Sequence, residues 1–373
     1  MQAASVGEAF LAGELVKKLQ FPAQTSILLT SSTSQGFDIL QKIVSEDFGA
    51  NKKISAAYFP FDRPFIMNKA LTMIAPRAMI LLESELWPGL MSGCKRQSIK
   101  LLVVNGRMTQ RSLNRYLRWP TIWRELRPDA VLAMSEADSQ RFAALFGEDI
   151  VGTMANIKFD RIQPQKKEAS QENNPLLSFL DTDEAFLVLG SVRQEEEDEV
   201  AHLLAHLHEQ NDNLIIGLFP RHMHRLPHWQ KKLSDLKLPW QLRSHRTTKA
   251  SPGTIILWDS MGELENAYDL ARTAFVGGSL APVGGQNFLE PLSCGIRPVI
   301  GPHWTNFAWI GREIIDQGLV HEAKDWQEVA SYLLENVQIS PKRRQTQNDL
   351  QDFVSSRQGG TQTACQKIND ILL

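Results

Sequence analysis

The stretch TAFVGGSLAPVGGQNFLEP, which runs from Thr273 to Pro291, contains the pattern that decides the fold. A short apolar run comes first, two pairs of glycines follow, and an apolar segment with helical spacing comes last. This is the order strand, glycine loop and helix, in which glycines let backbone amides approach a ligand closely. The stretch therefore predicts one unit of an α/β fold that ends in a ligand-binding loop.

The same alternation of strands and helices extends over the rest of the chain. Helical spacing occurs at 9–19 and 136–146. Short apolar runs predict strands at 26–30, 78–82, 101–105, 130–134, 186–190, 214–219, 254–258, 273–277 and 298–301. Such alternation is typical of parallel sheets covered by helices on both faces. The sequence predicts an α/β fold of two doubly wound domains.

A polar segment without periodicity divides this pattern near its middle. We predict an N-terminal domain at 1–160, a linker at 161–174 and a C-terminal domain at 175–373, whose last helix can pack back on the N-terminal domain. The alternative is a long surface loop inside a single domain. A length of 373 residues also favours two domains.

Composition excludes several classes of protein. The formal net charge is -2, so the basic excess typical of nucleic-acid binders is absent. Three well-separated cysteines suit a reducing compartment and form no CxxC pair. No apolar run is long enough to span a bilayer.

Two acidic motifs are candidates for chemistry in the first half. Glu8 in SVGE falls at a helix start, where it is either a residue favoured by the helix dipole or a general base. Glu83 and Glu85 in LESELWP follow a predicted strand. An extended segment would point both carboxylates to one side, where like charges raise a pKa.

The second half contains the candidates for nucleotide binding. Arg221 in FPRH ends a predicted strand, where a guanidinium can clamp a phosphate. WDSMGELENAYDLA supplies a turn before a helix, and Glu290 can accept hydrogen bonds from ribose hydroxyls. Each feature alone also fits a structural turn or a surface residue, but together they favour a nucleotide site.

Other motifs are absent or have a structural interpretation. There is no GxxxxGK[ST] phosphate loop, no strand followed by GxGxxG and no HExxH. His202, His206 and His208 are expected on a solvated or partly buried helix face. The acidic run Glu195–Glu199 is expected to face solvent at a helix start.

At these places the sequence resembles the 3-deoxy-D-manno-octulosonic acid (Kdo) transferases of lipopolysaccharide synthesis. The resemblance covers almost the whole chain and rests on SVGE, TSSTSQGFD, YFPFDRPF, ESELWP, NGRMTQRS, NIKFD, FPRH, DSMGEL and FVGGSLAPVGGQNFLEP, in that order. It implies a GT-B-type fold, in which two Rossmann-like domains have the active site between them. It also implies an inverting transfer of Kdo from CMP-β-Kdo to a lipid A precursor (lipid IVA).

The resemblance also implies roles for individual residues. Glu8 would be the general base, and Glu83 and Lys158 would stabilise the transition state. The residues expected to hold the nucleotide are Pro220, Arg221, Met261, Gly262, Glu263, Asn287 and Glu290. The stretch 107–127 would face the lipid acceptor.

Partners and location follow from the same resemblance. The expected partners are CMP-Kdo, the lipid A precursor and the surface of the inner membrane, with no nucleic acid. We expect peripheral attachment at the cytoplasmic face, since the family's usual apolar anchor does not precede Ser5, and part of the first strand would be missing. His is usual in the family where this chain has Gln2, Arg193 and Gln286.

Because CMP is a good leaving group, no cofactor or catalytic metal is expected. Activity that is lost with EDTA and restored by a divalent ion would contradict this. The alternatives are a transferase or epimerase that uses another nucleotide sugar, or a catalytically silent CMP-sugar binder.

Overall fold

The computed structural model describes residues 1–20, 25–46, 53–162, 174–180, 184–245 and 249–372. The chain divides into two compact units: unit 1 is Met1–Gln163 with Val354–Leu373, and unit 2 is Pro164–Phe353. Of the predicted linker, residues 163–173 lie outside the described residues. Each unit contains a parallel sheet of seven strands, which confirms the α/β class.

Unit 1 alternates strands and helices along its length. Its strands are β1 Gln2–Ala3, β2 Ser26–Ser31, β3 Lys53–Tyr58, β4 Ala78–Leu82, β5 Lys100–Gly106, β6 Ala130–Ala133 and β7 Val151–Thr153. Its helices are α1 Val6–Lys18, α2 Ser34–Val44, α3 Pro64–Ile74, α4 Pro88–Arg96, α5 Gln110–Tyr116, α6 Pro120–Glu125 and α7 Glu136–Phe146. A 3-10 helix at Ile157–Arg161 follows β7.

Unit 2 repeats the alternation. Its strands are β8 Phe186–Val192, β9 Ile215–Pro220, β10 Trp240–Leu242, β11 Ile255–Leu257, β12 Thr273–Val276, β13 Val299–Ile300 and β14 His321–Glu322. The helices are α8 Glu197–Gln210, α9 Leu226–Asp235, α10 Leu264–Leu270, α11 Leu289–Ser293, α12 Glu313–Asp316 and α13 Trp326–Val337. The chain ends with α14 Arg343–Ser355 and α15 Gly360–Leu372, and α15 packs on α1.

Strand order places a ligand-binding position in each sheet. The sheet of unit 1 has the order β3-β2-β1-β4-β5-β6-β7, so the direction of winding reverses between β1 and β4. The sheet of unit 2 has the order β10-β11-β9-β8-β12-β13-β14 and reverses between β8 and β12. Ligands of open α/β sheets bind outside the carboxyl ends of the strands at such a reversal. A ligand of either sheet is therefore expected beside the residues that follow β1 and β4 or β8 and β12.

The first strand is short but fully integrated in its sheet. β1 has only two residues, yet Gln2 lies opposite Thr30 of β2 and Leu81 of β4. The Gln2 side chain is buried, accepts a hydrogen bond from Thr30 Oγ1 at 2.6 Å and donates to Ser32 Oγ at 3.0 Å. These bonds satisfy its amide and fix the strand from which the chain enters α1.

Apolar side chains cover both faces of each sheet. In unit 1 one face packs against α1, through residues such as Leu11 and Leu15, and the other against α4 and α7. In unit 2, α8 and α13 cover one face, while Trp258 and Tyr268 lie in the cluster on the other. Burial of each large side chain contributes about 1.5–3 kcal/mol. This burial explains why the central strands read as continuous apolar runs.

The sequence predictions locate these central strands and miss some shorter or outer ones. All nine predicted strands occur with bounds shifted by a few residues at most, and the helix predicted at 136–146 has those bounds. The predicted ranges do not include β1, β3, β7, β10 and β14. β1 is buried but has only two residues, too few for a pattern. The residues of the other four are mostly half-buried or exposed, so the apolar signal that marks a central strand is weaker there.

Candidate active site

Glu8 lies in the first turn of α1, directly after β1. Ser5 is the N-cap: its extended backbone (φ -126°) ends the loop, and its hydroxyl accepts a hydrogen bond from the Glu8 amide at 3.3 Å. The Glu8 carboxylate in turn accepts from the Ala4 amide at 2.7 Å and from the Ser5 hydroxyl at 3.1 Å. This arrangement differs from a capping box in that the Glu8 carboxylate accepts from the amide before the N-cap, but it likewise holds the carboxylate at a fixed position.

The environment of Glu8 changes its acidity. Its side chain is almost fully buried, and burial raises the pKa of Glu8 to about 7. The negative charges of Glu85 and Glu83 act in the same direction, whereas the Ala4 amide and the Ser5 hydroxyl lower the pKa. A carboxylate that titrates near neutral pH is suited to accept a proton and release it again.

Glu83 adopts a turn instead of the extended segment expected from the sequence. Its φ is +53°, in the left-handed region, and residues 83–84 form a turn after β4. The turn is held because the Glu83 amide donates to Val104 O at 3.1 Å and the Glu83 carbonyl accepts from Arg107 at 3.4 Å. The expectation that Glu83 and Glu85 share one side of an extended strand is therefore wrong.

Glu85 nevertheless belongs to the same acidic group. Burial raises the pKa of Glu85, its hydrogen bond from Trp87 Nε1 at 2.7 Å lowers it, and the charge of Glu83 raises it again. The charge of one carboxylate thus raises the pKa of the other, as the sequence predicts, although the backbone between them is a turn and not an extended strand.

Lys158 forms an ion pair with Glu83. The distance between Lys158 Nζ and Glu83 Oε1 is 2.7 Å, and both side chains are largely shielded from solvent. Lys158 lies in the 3-10 helix after β7. Asn156 caps this helix by accepting from the Lys158 amide, and Asn105 in β5 accepts from the Ile157 amide, each at 3.0 Å.

The structure therefore brings the predicted residues of unit 1 together. Glu83 and Lys158 are in contact, and Glu8 lies within electrostatic range of Glu83. The sequence does not single out Asn105 and Asn156, which hold the segment that contains Lys158. Their only signal was membership of the NGRMTQRS and NIKFD motifs.

In unit 2, Arg221 and Glu290 lie near each other. The Arg221 amide donates to Val192 O of β8 at 2.8 Å, and the rest of the residue is exposed. Asn287 Nδ2 donates to Glu290 Oε1 at 3.0 Å. Burial raises the pKa of Glu290, whereas the hydrogen bond from Asn287 and the positive charge of Arg221 lower it. Pro220, which ends β9, fixes the backbone just before the arginine.

Hydrogen bonds to the Glu263 carboxylate hold the turn at Met261–Glu263. The Glu263 carboxylate accepts two hydrogen bonds from Arg243 at 3.1 Å, one from Trp258 Nε1 at 2.7 Å and one from Ser260 Oγ at 2.8 Å. Gly262 has a φ of +85°, and Met261 is 74% exposed. The Glu263 side chain thus supports the turn, while Met261 is presented to solvent.

The acidic run Glu195–Glu199 does not face solvent as a whole, which corrects the sequence interpretation. Glu196 is fully buried and Glu197 is 3% exposed. Glu196 contacts backbone amides of the glycine loop, defined here as residues 277–287 after β12. In the sequence these two carboxylates look like exposed residues of a first helical turn. Their burial depends on partners that are distant along the chain.

Within the described ranges, no group of three or more His, Cys, Asp or Glu side chains is placed to hold a metal ion. His202 and His206 pack instead against the ring of Trp326. Metal-independent catalysis stays a prediction. Among the same residues, every helix is too short or too polar to cross a bilayer.

Comparison with known sequences gives a consistent result. The profile of the family described as 3-Deoxy-D-manno-octulosonic-acid transferase (kdotransferase) matches residues 1–161. A 3-deoxy-D-manno-octulosonic acid transferase of Haemophilus influenzae is 30% identical over 328 residues, which cover 86% of this chain and 74% of that protein. A bifunctional glycosyltransferase/methyltransferase of Fusobacterium nucleatum is 31% identical over 87% of this chain, which spans 50% of that protein's length.

Comparison with solved structures concerns the fold alone. The crystal structure of UDP-GlcNAc 2-epimerase from Neisseria meningitidis bound to UDP-GlcNAc matches with a TM-score of 0.55 and 13% identity. The match covers 100% of this chain and 98% of that one. Together with the two parallel sheets, it confirms the predicted GT-B-type class of two Rossmann-like domains.

Proposed function

Because the chain belongs to the 3-deoxy-D-manno-octulosonic acid (Kdo) transferase family, we propose that it transfers Kdo from CMP-β-Kdo to a lipid A precursor (lipid IVA) with inversion. The observation that carries this proposal is the group formed by Glu8, Glu83 and Lys158 at the strand-order reversal of unit 1. A buried carboxylate with a pKa of about 7 beside a buried ion pair is costly to maintain and suits acid–base chemistry.

In the proposed reaction Glu8 is the general base. Its carboxylate accepts the proton of the acceptor hydroxyl, and the hydroxyl oxygen forms a bond to the anomeric carbon of Kdo. The bond between that carbon and the phosphate oxygen breaks, and CMP leaves with the electron pair. The hydrogen bonds from Ala4 and Ser5 keep the carboxylate oriented, so little reorganisation is needed in the transition state.

Lys158 and Glu83 stabilise charge in this scheme. The ammonium of Lys158 is held by Glu83 at 2.7 Å and is only 20% exposed, so its field is weakly screened. A fixed positive charge of this kind favours the negative charge that develops as the phosphate departs. Glu83 then acts by holding the lysine in place.

Unit 2 holds the donor in the same proposal. Arg221 is exposed at the end of β9, and its guanidinium matches two phosphate oxygens. Asn287 and Glu290 offer an amide and a carboxylate that can bind ribose hydroxyls. Pro220 and Met261–Glu263 would complete the nucleotide site through their backbone and the exposed Met261 side chain.

A membrane-facing surface is proposed for the stretch 107–127, which includes α5 and α6. Leu117, Trp119 and Ile122 are exposed at 40%, 66% and 47%. Arg111, Arg115 and Arg118 are exposed between or before them. Exposed apolar and basic side chains together bind an interface with anionic headgroups. Together with membership of the Kdo transferase family, this surface supports the location that we propose, the cytoplasmic face of the inner membrane.

The proposal is tested by analysing the product. Purified protein is incubated with CMP-Kdo, generated in situ, and a tetra-acylated lipid A precursor, and the lipid is examined by mass spectrometry. We expect the acceptor mass to increase by one or more Kdo residues, and no product with UDP- or GDP-sugars. Transfer from UDP- or GDP-sugars alone would favour a different nucleotide-sugar transferase. CMP binding without any product would favour a silent binder.

A further inference from the structure

Glu196 is a fully buried carboxylate that follows β8. Both of its oxygens accept backbone hydrogen bonds. Oε1 accepts from the amides of Arg193, at 3.0 Å, and Gly278, and Oε2 accepts from those of Ser279 and Leu280, each at 3.1 Å. A buried carboxylate is tolerated when its lone pairs are satisfied in this way.

These amides connect two segments that are distant in sequence. Arg193 belongs to the turn after β8, whereas residues 278–280 belong to the glycine loop after β12, and β8 lies beside β12 in the sheet. A Cβ atom on Gly277 would lie 2.6 Å from Glu196 Oε1, too close for a methyl group. The absence of a side chain at Gly277 therefore allows the loop to close onto the carboxylate.

Glu197 connects the turn after β8 to the segment that follows β9, the neighbouring strand on the other side. Glu197 is 3% exposed and forms two hydrogen bonds with Arg225, at 2.9 and 2.5 Å, and His228 Nε2 lies 3.2 Å from it. Arg225 lies in the 3-10 helix Met223–Arg225, shortly after Arg221, and β9 is the other neighbour of β8.

We propose that Glu196 and Glu197 are positioning residues that set the separation between Arg221 and the glycine loop. The inference rests on the proposed function, because these two segments are the ones assigned to the nucleotide of the donor. The two carboxylates tie the turn after β8 to the loops on either side of it, at the strand-order reversal of unit 2. Their loss widens or loosens the nucleotide site without removing any group that touches the nucleotide.

The test is CMP binding measured by calorimetry on the wild type and Glu196→Gln. Glutamine preserves the shape, but its Nε2 cannot accept hydrogen bonds, so amides on one side lose their acceptor. We expect the Kd for CMP and the KM for the donor to rise about tenfold or more, with the KM for the acceptor unchanged. Glu209→Gln, an exposed change at the far end of α8, is the control and leaves both values unchanged.

The possible results distinguish a wrong role for Glu196 from a wrong proposed function. If the wild type does not bind CMP, the proposed function and the inference both fail. If the wild type binds and folded Glu196→Gln binds equally well, only the inference is overturned. A purely structural role would lower the melting temperature and kcat while leaving the Kd of the folded protein unchanged, which also overturns it.

A second variant covers the case in which Glu196→Gln does not fold. Arg225→Lys retains the positive charge near Glu197 but loses the two-pronged contact. We expect a smaller increase in the Kd for CMP, about threefold to tenfold. An unchanged Kd in folded Arg225→Lys would overturn the inference.

Discussion

At the level of single residues, the chemistry depends on how polar groups are buried. Glu8 combines an almost fully buried side chain with only two hydrogen-bond donors, from Ala4 and Ser5. Glu196 is fully buried and has four backbone donors. Burial raises the pKa of both carboxylates, and hydrogen bonds from backbone amides oppose the shift at each of them. Glu8 has few hydrogen-bond partners, whereas Glu196 uses its carboxylate to organise the backbone of two loops. The same residue type therefore serves two different tasks.

The raised pKa of Glu8 predicts the pH dependence of catalysis. The base must be ionised to accept a proton, so kcat/KM for the acceptor falls as the pH decreases below about 7. The expected slope is about tenfold per pH unit on the acid side. Steady-state rates between pH 5.5 and 8.5 measure this. A flat profile down to pH 5.5 would contradict the role of Glu8.

The same shift predicts an effect on folding stability. The pKa of Glu8 is about 7 in the folded protein and near its ordinary value of 4.5 in the unfolded chain, so between these pH values the folded state retains a proton that the unfolded state has lost. Stability from this residue is therefore greatest below pH 4.5 and is lost as the pH rises through 7. Glu8→Gln is expected to be more stable than the wild type at pH 8 by about 1–3 kcal/mol. Urea denaturation at pH 4.5 and pH 8 measures the difference; a stability gain that is equal at both pH values would count against the shift.

Glu83 and Lys158 are expected to act as one unit. Lys158→Ala removes the positive charge, and kcat should fall about 100-fold to 1,000-fold. Glu83→Gln releases the lysine and should also reduce kcat. Because the two side chains are in contact, the double variant should lose less than the product of the single effects. Fully multiplicative losses would mean that the pair does not function together.

At the level of elements, the sequence predicts the central strands well and the turns after them poorly. β4 and β8 are short apolar runs of the kind typical of buried parallel strands. The left-handed conformation of Glu83 has no sequence signal, because non-glycine residues rarely adopt it. The burial of Glu196 depends on amides more than 80 residues away along the chain. The neighbouring sequence therefore predicts only an exposed, charged helix start. Lys158 was found through the family resemblance alone.

The short helices α5 and α6 carry a prediction about membranes. The double variant Trp119→Ser/Ile122→Ser removes two exposed apolar side chains and should reduce binding to vesicles that contain anionic phospholipids. Cosedimentation with such vesicles measures this. The matched control is Leu236→Ser/Ile339→Ser, which removes exposed apolar side chains from unit 2 and should not alter binding. Equal loss of binding in both variants would refute a specific role for the stretch 107–127.

At the level of the whole molecule, each unit places several of its candidate residues at its strand-order reversal. Unit 1 has Glu8 after β1 and Glu83 after β4, and unit 2 has the turn with Glu196 after β8 and the glycine loop after β12. The topology thus explains why residues far apart in sequence become neighbours. We assign proton transfer and charge stabilisation to unit 1 and donor binding to unit 2.

The most direct test of this account is CMP release from CMP-Kdo with and without the tetra-acylated lipid A precursor. The wild type is compared with Glu8→Gln and with Glu136→Gln, which changes an exposed glutamate in the first turn of α7. The account predicts acceptor-dependent CMP release that Glu136→Gln retains and Glu8→Gln loses while still binding CMP. Acceptor-dependent release that persists in Glu8→Gln at the wild-type rate would contradict it.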